Sequence, residues 1–189
     1  MTQQRWTIYH LEAMPDEPGK RYEIIDGELH VTTQPSIEHQ IVCGHAVRHL
    51  GNWSEESGAG VVVLAPGVIF AVDDAVAPDV VWVSRERFPG ITGEDHKFHA
   101  APDLVVEVLS PGAENERRDR EIKLLRYSLY GVREYWIINW RAREVTVYRR
   151  EGTGLQLVAT LGETDQLESP LLPGFGRPVS SLFTDLPAS

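Results

Sequence analysis

The run DLVVEVLS, residues 103–110, alternates its side chains so that Asp103, Val105, Glu107 and Leu109 share one face and Leu104, Val106 and Val108 the other. Both faces are apolar, the pattern of a strand covered on two sides, and such strands belong to sheets with packed layers on each face. No other stretch limits the fold as much. It also poses a chemical problem, because Glu107 lies in its middle. Burying an unpaired carboxylate is costly, so Glu107 must be protonated, paired with a cation or bound to a metal.

A second apolar strand, PDVVWV (78–83), carries Asp79 at its entrance just after a proline, as Asp103 follows Pro102 in the first. Two acidic strands of one sheet can converge on one point. The polar segment 114–130 has Ile122, Leu125 and Leu129 at helical intervals, which predicts an amphipathic helix with those three on its core face and Gly131 at its stop. EYWIINW (134–140) and REVTVYRR (143–150) read as strands, and LQLVATL (155–161) pairs back through the turn at Gly152 to Gly154. The strands flanking the 114–130 helix are predicted parallel, joined by a right-handed crossover.

Upstream, YEIIDGELHVTT (22–33) is a hairpin whose Asp26-Gly27 pair supplies the positive φ angles of a type I′ turn. Tyr22, Ile24, Leu29 and Val31 form its predicted core face, with Glu23, Ile25, Glu28 and His30 opposite. A helix starts at the N-cap Ser36 and is expected to stop at Gly51. VVVLAPGVIFAV (61–72) gives two strands turned at Pro66-Gly67, and residues 84–100 form a long connection. The tail 168–183, rich in proline and glycine, is expected to wrap the surface. The sum is an α/β fold on a mixed β-sheet flanked by helices, with additional N-terminal and C-terminal hairpins. At 189 residues one domain is expected over 1–189, its core at about 22–150 and a C-terminal extension at 151–189.

Cys43 is the sole cysteine, so neither an internal disulfide nor a zinc knuckle can form, and it reads as a small buried thiol. The start, MTQQRWTIYHLEAMPDE, lacks the basic opening and apolar stretch of a signal peptide, and no window suits a membrane span, which points to the cytoplasm. A formal charge of −10 argues against nonspecific attraction to nucleic acid. Arginines concentrated in 117–126 and 141–150 nonetheless provide locally basic ground.

Lys123, four residues after Asp119 and four before Tyr127, sits at the border of the predicted core face, within reach of the preceding strand. Asp79, Glu107 and Lys123 together suit phosphodiester hydrolysis: two carboxylates hold a hard cation such as Mg²⁺ (or Mn²⁺), and an ammonium stabilises charge on a phosphate or positions the attacking water. Spacing alone favours a buried Glu107–Lys123 ion pair, with Asp79 capping a turn, over that chemistry.

The ordered series YEIIDGEL, SIEHQ, PDVVWV, EVLSPGAENERRDREIKLLRY and GVREYWIIN, with LLPG and SLF near the end, resembles the Uma-type restriction endonuclease family, a branch of the PD-(D/E)XK nuclease superfamily. The resemblance runs from about Tyr22 to Tyr148. It implies a restriction-endonuclease-like fold and a metal-dependent endonuclease acting on DNA, with Asp79 and Glu107 as metal ligands and Mg²⁺ or Mn²⁺ as cofactor. The superfamily's strand lysine would stand at Leu109; the family pattern moves that role to Lys123. Glu28 matches the acid of the family's DGEL motif and is an auxiliary catalytic candidate. Glu38, His39, Asp103 and Asp119 are supporting candidates, although the helix dipole alone accounts for Glu38 and strand-end structure for Asp103. His45 and His49 have zinc-pair spacing but no third ligand, and are expected to be solvated. Ser110 reads as a cap. A homodimer is compatible with the superfamily. The alternative to an enzyme is an inactive nuclease fold that binds nucleic acid or protein, a reading the acidic net charge favours.

Overall fold

A computed structural model describes residues 5–15 and 17–186; the first four residues and Asp16 of the stretch read for a leader lie outside them. Helix α1 (Ile8–Glu12) precedes a hairpin of β1 (Lys20–Ile25) and β2 (Glu28–Thr33) and the long helix α2 (Ile37–Ser57). Strands β3 (Gly60–Leu64), β4 (Val68–Ala71), β5 (Asp74–Val76) and β6 (Val80–Ser84) follow, then a short helix α3 (Phe88–Ile91) and β7 (Leu104–Val108). Helix α4 (Ala113–Arg117), a π-helical turn (Arg118–Lys123) and helix α5 (Leu124–Tyr130) run on continuously. Strands β8 (Glu134–Asn139), β9 (Glu144–Glu151), β10 (Gly154–Gly162), β11 (Gln166–Glu168) and β12 (Gly176–Pro178) lead to a closing 3₁₀ turn, Val179–Leu182.

The principal sheet has the order β10-β9-β8-β7-β6-β3 and is mixed: β7 and β8 are parallel, and its other pairs are antiparallel. The α4–π–α5 segment is the crossover between the parallel pair. One face of β7 (Leu104, Val106, Val108) packs with α2 and with Leu172, Phe175, Val179, Leu182 and Phe183 of the C-terminal segment. The other face (Val105, Leu109) packs with Tyr127, Val132 and Tyr135, and with Val68 and Val76 of a second sheet, order β2-β1-β5-β4. Each buried valine or leucine contributes about 1.5–3 kcal/mol. Five of them on and beside this strand, each at most 1% exposed, outweigh the cost of one carboxylate. No helix among the described residues is long and apolar enough to cross a membrane.

Three sequence expectations change. The Asp26-Gly27 turn has positive φ at both residues as expected, but the faces of its hairpin do not divide as hydrophobicity suggests. Glu23 and Ile25 are almost as buried as Ile24, because their face turns toward the principal sheet and its crossover, Ile25 in the cluster with Val105 and Tyr127 and Glu23 against Lys123, while Val31 is exposed. Helix α2 passes through Gly51 and ends at Gly58, whose φ of 67° makes the left-handed cap. A glycine stops a helix where the chain takes that conformation, and Gly51 stays helical. Strands β3 and β4 turn near Pro66-Gly67 as expected, and they belong to different sheets. His45 and His49 are not solvated: their Nε2 atoms lie 2.8 Å from the carbonyl of Thr184 and 3.3 Å from that of Ser181, tying the C-terminal segment to α2.

The 113–130 segment keeps one of its three predicted core residues, Ile122, partly buried against the core and turns the other two outward. Leu125 and Leu129 are 63% and 65% exposed, whereas Asp119, Lys123 and Tyr127 are buried. In an α-helix positions four apart drift by about 40° around the axis, so three such residues do not stay aligned. The wider π turn takes a smaller angular step per residue and offsets that drift between Asp119 and Lys123. A polar stripe therefore faces inward.

Candidate active site

The antiparallel register of β6 and β7, Val80 opposite Val106 and Val81 opposite Val105, continues to set Asp79 across from Glu107 on one face. The same register sends Asp103 to the far end of the ladder. There it accepts hydrogen bonds from the Ser84 N–H (2.8 Å) and Arg87 (2.6 Å). Two similar PD sequences thus reach opposite ends of the sheet.

Lys123 Nζ enters from the π turn and lies 2.9 Å from Glu107 Oε1, 2.9 Å from Glu23 Oε1 and 3.8 Å from Asp119 Oδ1. Tyr127 donates to Glu107 Oε1 at 2.6 Å, and the Tyr135 hydroxyl, from β8, pins the Asp119 carbonyl of the π turn at 2.8 Å. The Ala77 N–H holds Glu23 Oε1 at 2.9 Å. Asp79 Oδ2 accepts from the Val108 N–H at 2.9 Å and meets His39 Nε2 at 3.2 Å, while Arg21 reaches Oδ1 at 3.2 Å. His39 is placed by the first turn of α2, where its N–H bonds the Ser36 N-cap hydroxyl.

These groups line a cleft of about 350 Å³ bounded by residues 31–36 on one side and by Ser110, Pro111, Asn115 and Arg118 on the other. The structure brings together Asp79, Glu107, Lys123, His39 and Asp119 of the sequence candidates. Glu28 is exposed and, like Glu38 and Asp103, is not among the lining residues. Glu38 bonds its own N–H and the Ser36 hydroxyl, which hold its carboxyl below the usual range. Ser110 lines the cleft at the end of β7. Glu23 is the acid that sequence reasoning missed. Its one signal was a carboxylate between strongly apolar strand positions, the same signal that singled out Glu107.

Burial drives Glu107 up to about 8, against the pull of Lys123 and with Asp79, Asp119 and Glu23 adding to the rise. Burial also favours a neutral Lys123, but Glu107, Glu23 and Asp119 outweigh it and raise the ammonium above its ordinary value. For Asp79 burial is overcome by His39, the Val108 N–H and Lys123, which hold it down at about 2. The hydrogen bonds to Glu107 converge on Oε1, so among the described residues Oε2 has no protein donor. That oxygen and the Asp79 carboxylate form a hard, all-oxygen donor pair suited to Mg²⁺ or Mn²⁺.

Two expected results follow from this geometry. Tyr127→Phe removes a short bond to a buried carboxyl and should cost about 1.5–3 kcal/mol in urea unfolding; an unchanged midpoint would show that the hydroxyl is not needed to satisfy Glu107. Glu107 holds its proton more tightly folded (about 8) than at its ordinary value of 4.5. Its stabilising contribution is therefore complete below about pH 4.5 and is lost as pH rises through about 8. In metal-free buffer the melting-temperature advantage of Glu107→Gln over wild type should widen across that window; a constant difference would contradict the raised value.

A family model described as "Putative restriction endonuclease", Uma2, matches residues 8–180. Among solved structures, a putative nuclease of the DUF820 group from Anabaena variabilis superposes with a TM-score of 0.74 at 18% identity, over 94% of this chain and 97% of that one. At that identity the likeness concerns the fold. No curated protein matches.

Proposed function

The chain belongs to the Uma2 family, and on that premise we propose that it is a metal-dependent endonuclease hydrolysing phosphodiester bonds of DNA at the Asp79–Glu107–Lys123 cleft. The observation that carries this reading is Asp79 set across from Glu107, with Lys123 at 2.9 Å from Glu107, on the floor of an accessible cleft. Asp79 and Glu107 would hold Mg²⁺ or Mn²⁺, which when bound supplies Lewis acidity toward a phosphoryl oxygen and an acidified water.

The chain's own groups have separable tasks. Lys123 offers a permanent positive charge to the negative charge that grows on the phosphate. Glu23, Asp119 and Tyr127 fix where its ammonium and Glu107 stand, and His39 and the Val108 N–H orient Asp79. Arg21 and Arg118, which burial would lower but which Asp79 and Asp119 respectively, together with Glu107 and Glu23, raise above the ordinary arginine value, line the cleft where flanking phosphates would lie. Glu23 takes the auxiliary place that the sequence suggested for Glu28.

A purified sample should cleave DNA in Mg²⁺ or Mn²⁺ and lose that activity in both Asp79→Ala and Glu107→Ala. Wild-type protein that cleaves no nucleic acid and binds neither ion would refute the enzyme. One observation favours a second reading, in which the cluster is a purely structural ion-pair core. Lys123 is shared between Glu107 and Glu23, as in a closed structural ion cluster. On that reading Lys123→Met changes stability and nothing else.

A further inference from the structure

On the α2 side of Asp79 three different ligand types meet. Cys43 Sγ lies 3.5 Å from His39 Nδ1, His39 Nε2 lies 3.2 Å from Asp79 Oδ2, and one donor atom from each residue falls within 4.8 Å of the others. His39 and Cys43 stand four residues apart on α2 and so lie on one helix face; Asp79 approaches from the sheet. All three are buried, and His39 and Asp79 line the cleft, which gives an ion its way in. Two ligands of a tetrahedral zinc stand roughly 3.5 Å apart, the spacing found between Cys43 Sγ and His39 Nδ1; Asp79 now meets the opposite ring nitrogen, Nε2, so one nitrogen serves both neighbours only if the ring or the carboxylate turns, within the 4.8 Å that spans the three donors.

Asp79 is therefore common to two donor sets of unlike softness. With Glu107 it presents oxygen alone, the choice of a hard cation. With His39 and Cys43 it presents oxygen, nitrogen and sulfur, the choice of zinc and its heavier relatives. We propose that His39, Cys43 and Asp79 form a second site, for a thiophilic divalent cation such as Zn²⁺, and that an ion there draws Asp79 away from the hard-metal position. The site needs no nuclease activity to exist; if the cleft is a nuclease, the site is inhibitory. Coordination releases the thiol proton to solvent, and no electron is transferred. Burial, with Asp79 and Glu107 adding to it, pushes the Cys43 thiol well above its ordinary value, so it stays protonated until a cation displaces the proton.

Because Cys43 is the only cysteine, Cd²⁺ reports on this site without ambiguity through thiolate charge-transfer absorption in the ultraviolet. Titrating Cd²⁺ into the metal-free full chain should give a band that saturates at about one equivalent, is displaced by Zn²⁺ and resists a large excess of Mg²⁺. The band should vanish in Cys43→Ser, bind Cd²⁺ at least about tenfold more weakly in His39→Asn and in Asp79→Asn, and persist in Glu107→Gln. Thermal melts establish that each variant is folded. No band in wild type, or displacement by Mg²⁺, would overturn the proposal without recourse to any variant. So would a band whose midpoint is unchanged in His39→Asn and Asp79→Asn, since the thiol would then be capturing the ion alone.

Discussion

Lys123→Met is expected to lower stability by about 3–5 kcal/mol, because it removes the cation and leaves buried carboxylates facing one another. Glu107 and Glu23 each lose a partner at 2.9 Å and Asp119 one at 3.8 Å. For a chain of this size the loss corresponds to roughly 6–20 °C in melting temperature. It should be larger above about pH 8 than below it, since Glu107 is protonated at the lower pH and leaves less charge stranded. Adding Glu107→Gln to Lys123→Met should recover part of the loss by removing one of the exposed negative charges. Urea titrations of both variants at the two pH values decide the matter. A loss under about 1 kcal/mol at high pH would mean that water or arginine, not Lys123, neutralises the cluster.

Glu107→Gln has the second large effect, and it separates fold from chemistry. Glutamine keeps the shape of the side chain and an oxygen for Lys123 and Tyr127, while removing the charge that a hard cation requires. Cleavage in Mn²⁺ should fall by about 10³-fold or more, although the metal-free protein melts no lower than wild type. A single-turnover assay with protein in excess over DNA isolates the chemical step from release. Activity within about tenfold of wild type would remove Glu107 from the site and leave its burial a structural matter. Asp79→Asn is the companion variant: it keeps one oxygen for the Val108 N–H, so its loss of cleavage is not a loss of strand pairing.

Much of the site was legible because charge in an apolar strand has few physical outlets. Glu107 and Asp79 were visible in this way, and the parallel pairing of the strands around 114–130 followed from the need for a crossover helix. Alternation tells which residues share a face, but not which face a neighbouring element will cover. Glu23 was hidden by that limit: it is on the face away from Ile24, and nothing in the hairpin announces that the crossover segment with Lys123 will cover that face. The 113–130 segment failed for a related reason. Its leucines have helical spacing, yet a polar stripe whose charges are mutually paired competes for the inside, and the winding that aligns that stripe departs from the period used to find it. Lys123 was placed correctly beside Asp119 and Tyr127 as a row; that the row faces inward depends on Glu23, which lies a hundred residues earlier in the chain. Glu28 drew attention through its motif and not through any energetic difficulty, and it is the candidate left in solvent.

The π turn also sets how this protein can vary. It lodges an additional residue between β7 and α5, so the path from Glu107 to Lys123 has a fixed number of steps. Exposed positions such as Leu125 and Leu129 are free to change identity. A one-residue deletion between Asp119 and Lys123 that restored ordinary winding would leave α5 facing much as before, because fewer, larger steps turn the chain about as far, but it would shorten the Asp119–Lys123 spacing and take one of the two off the inward stripe. An insertion there would need a still wider turn or would rotate everything downstream by about 100°. Sequence drift can therefore rewrite much of this segment, but its length is locked.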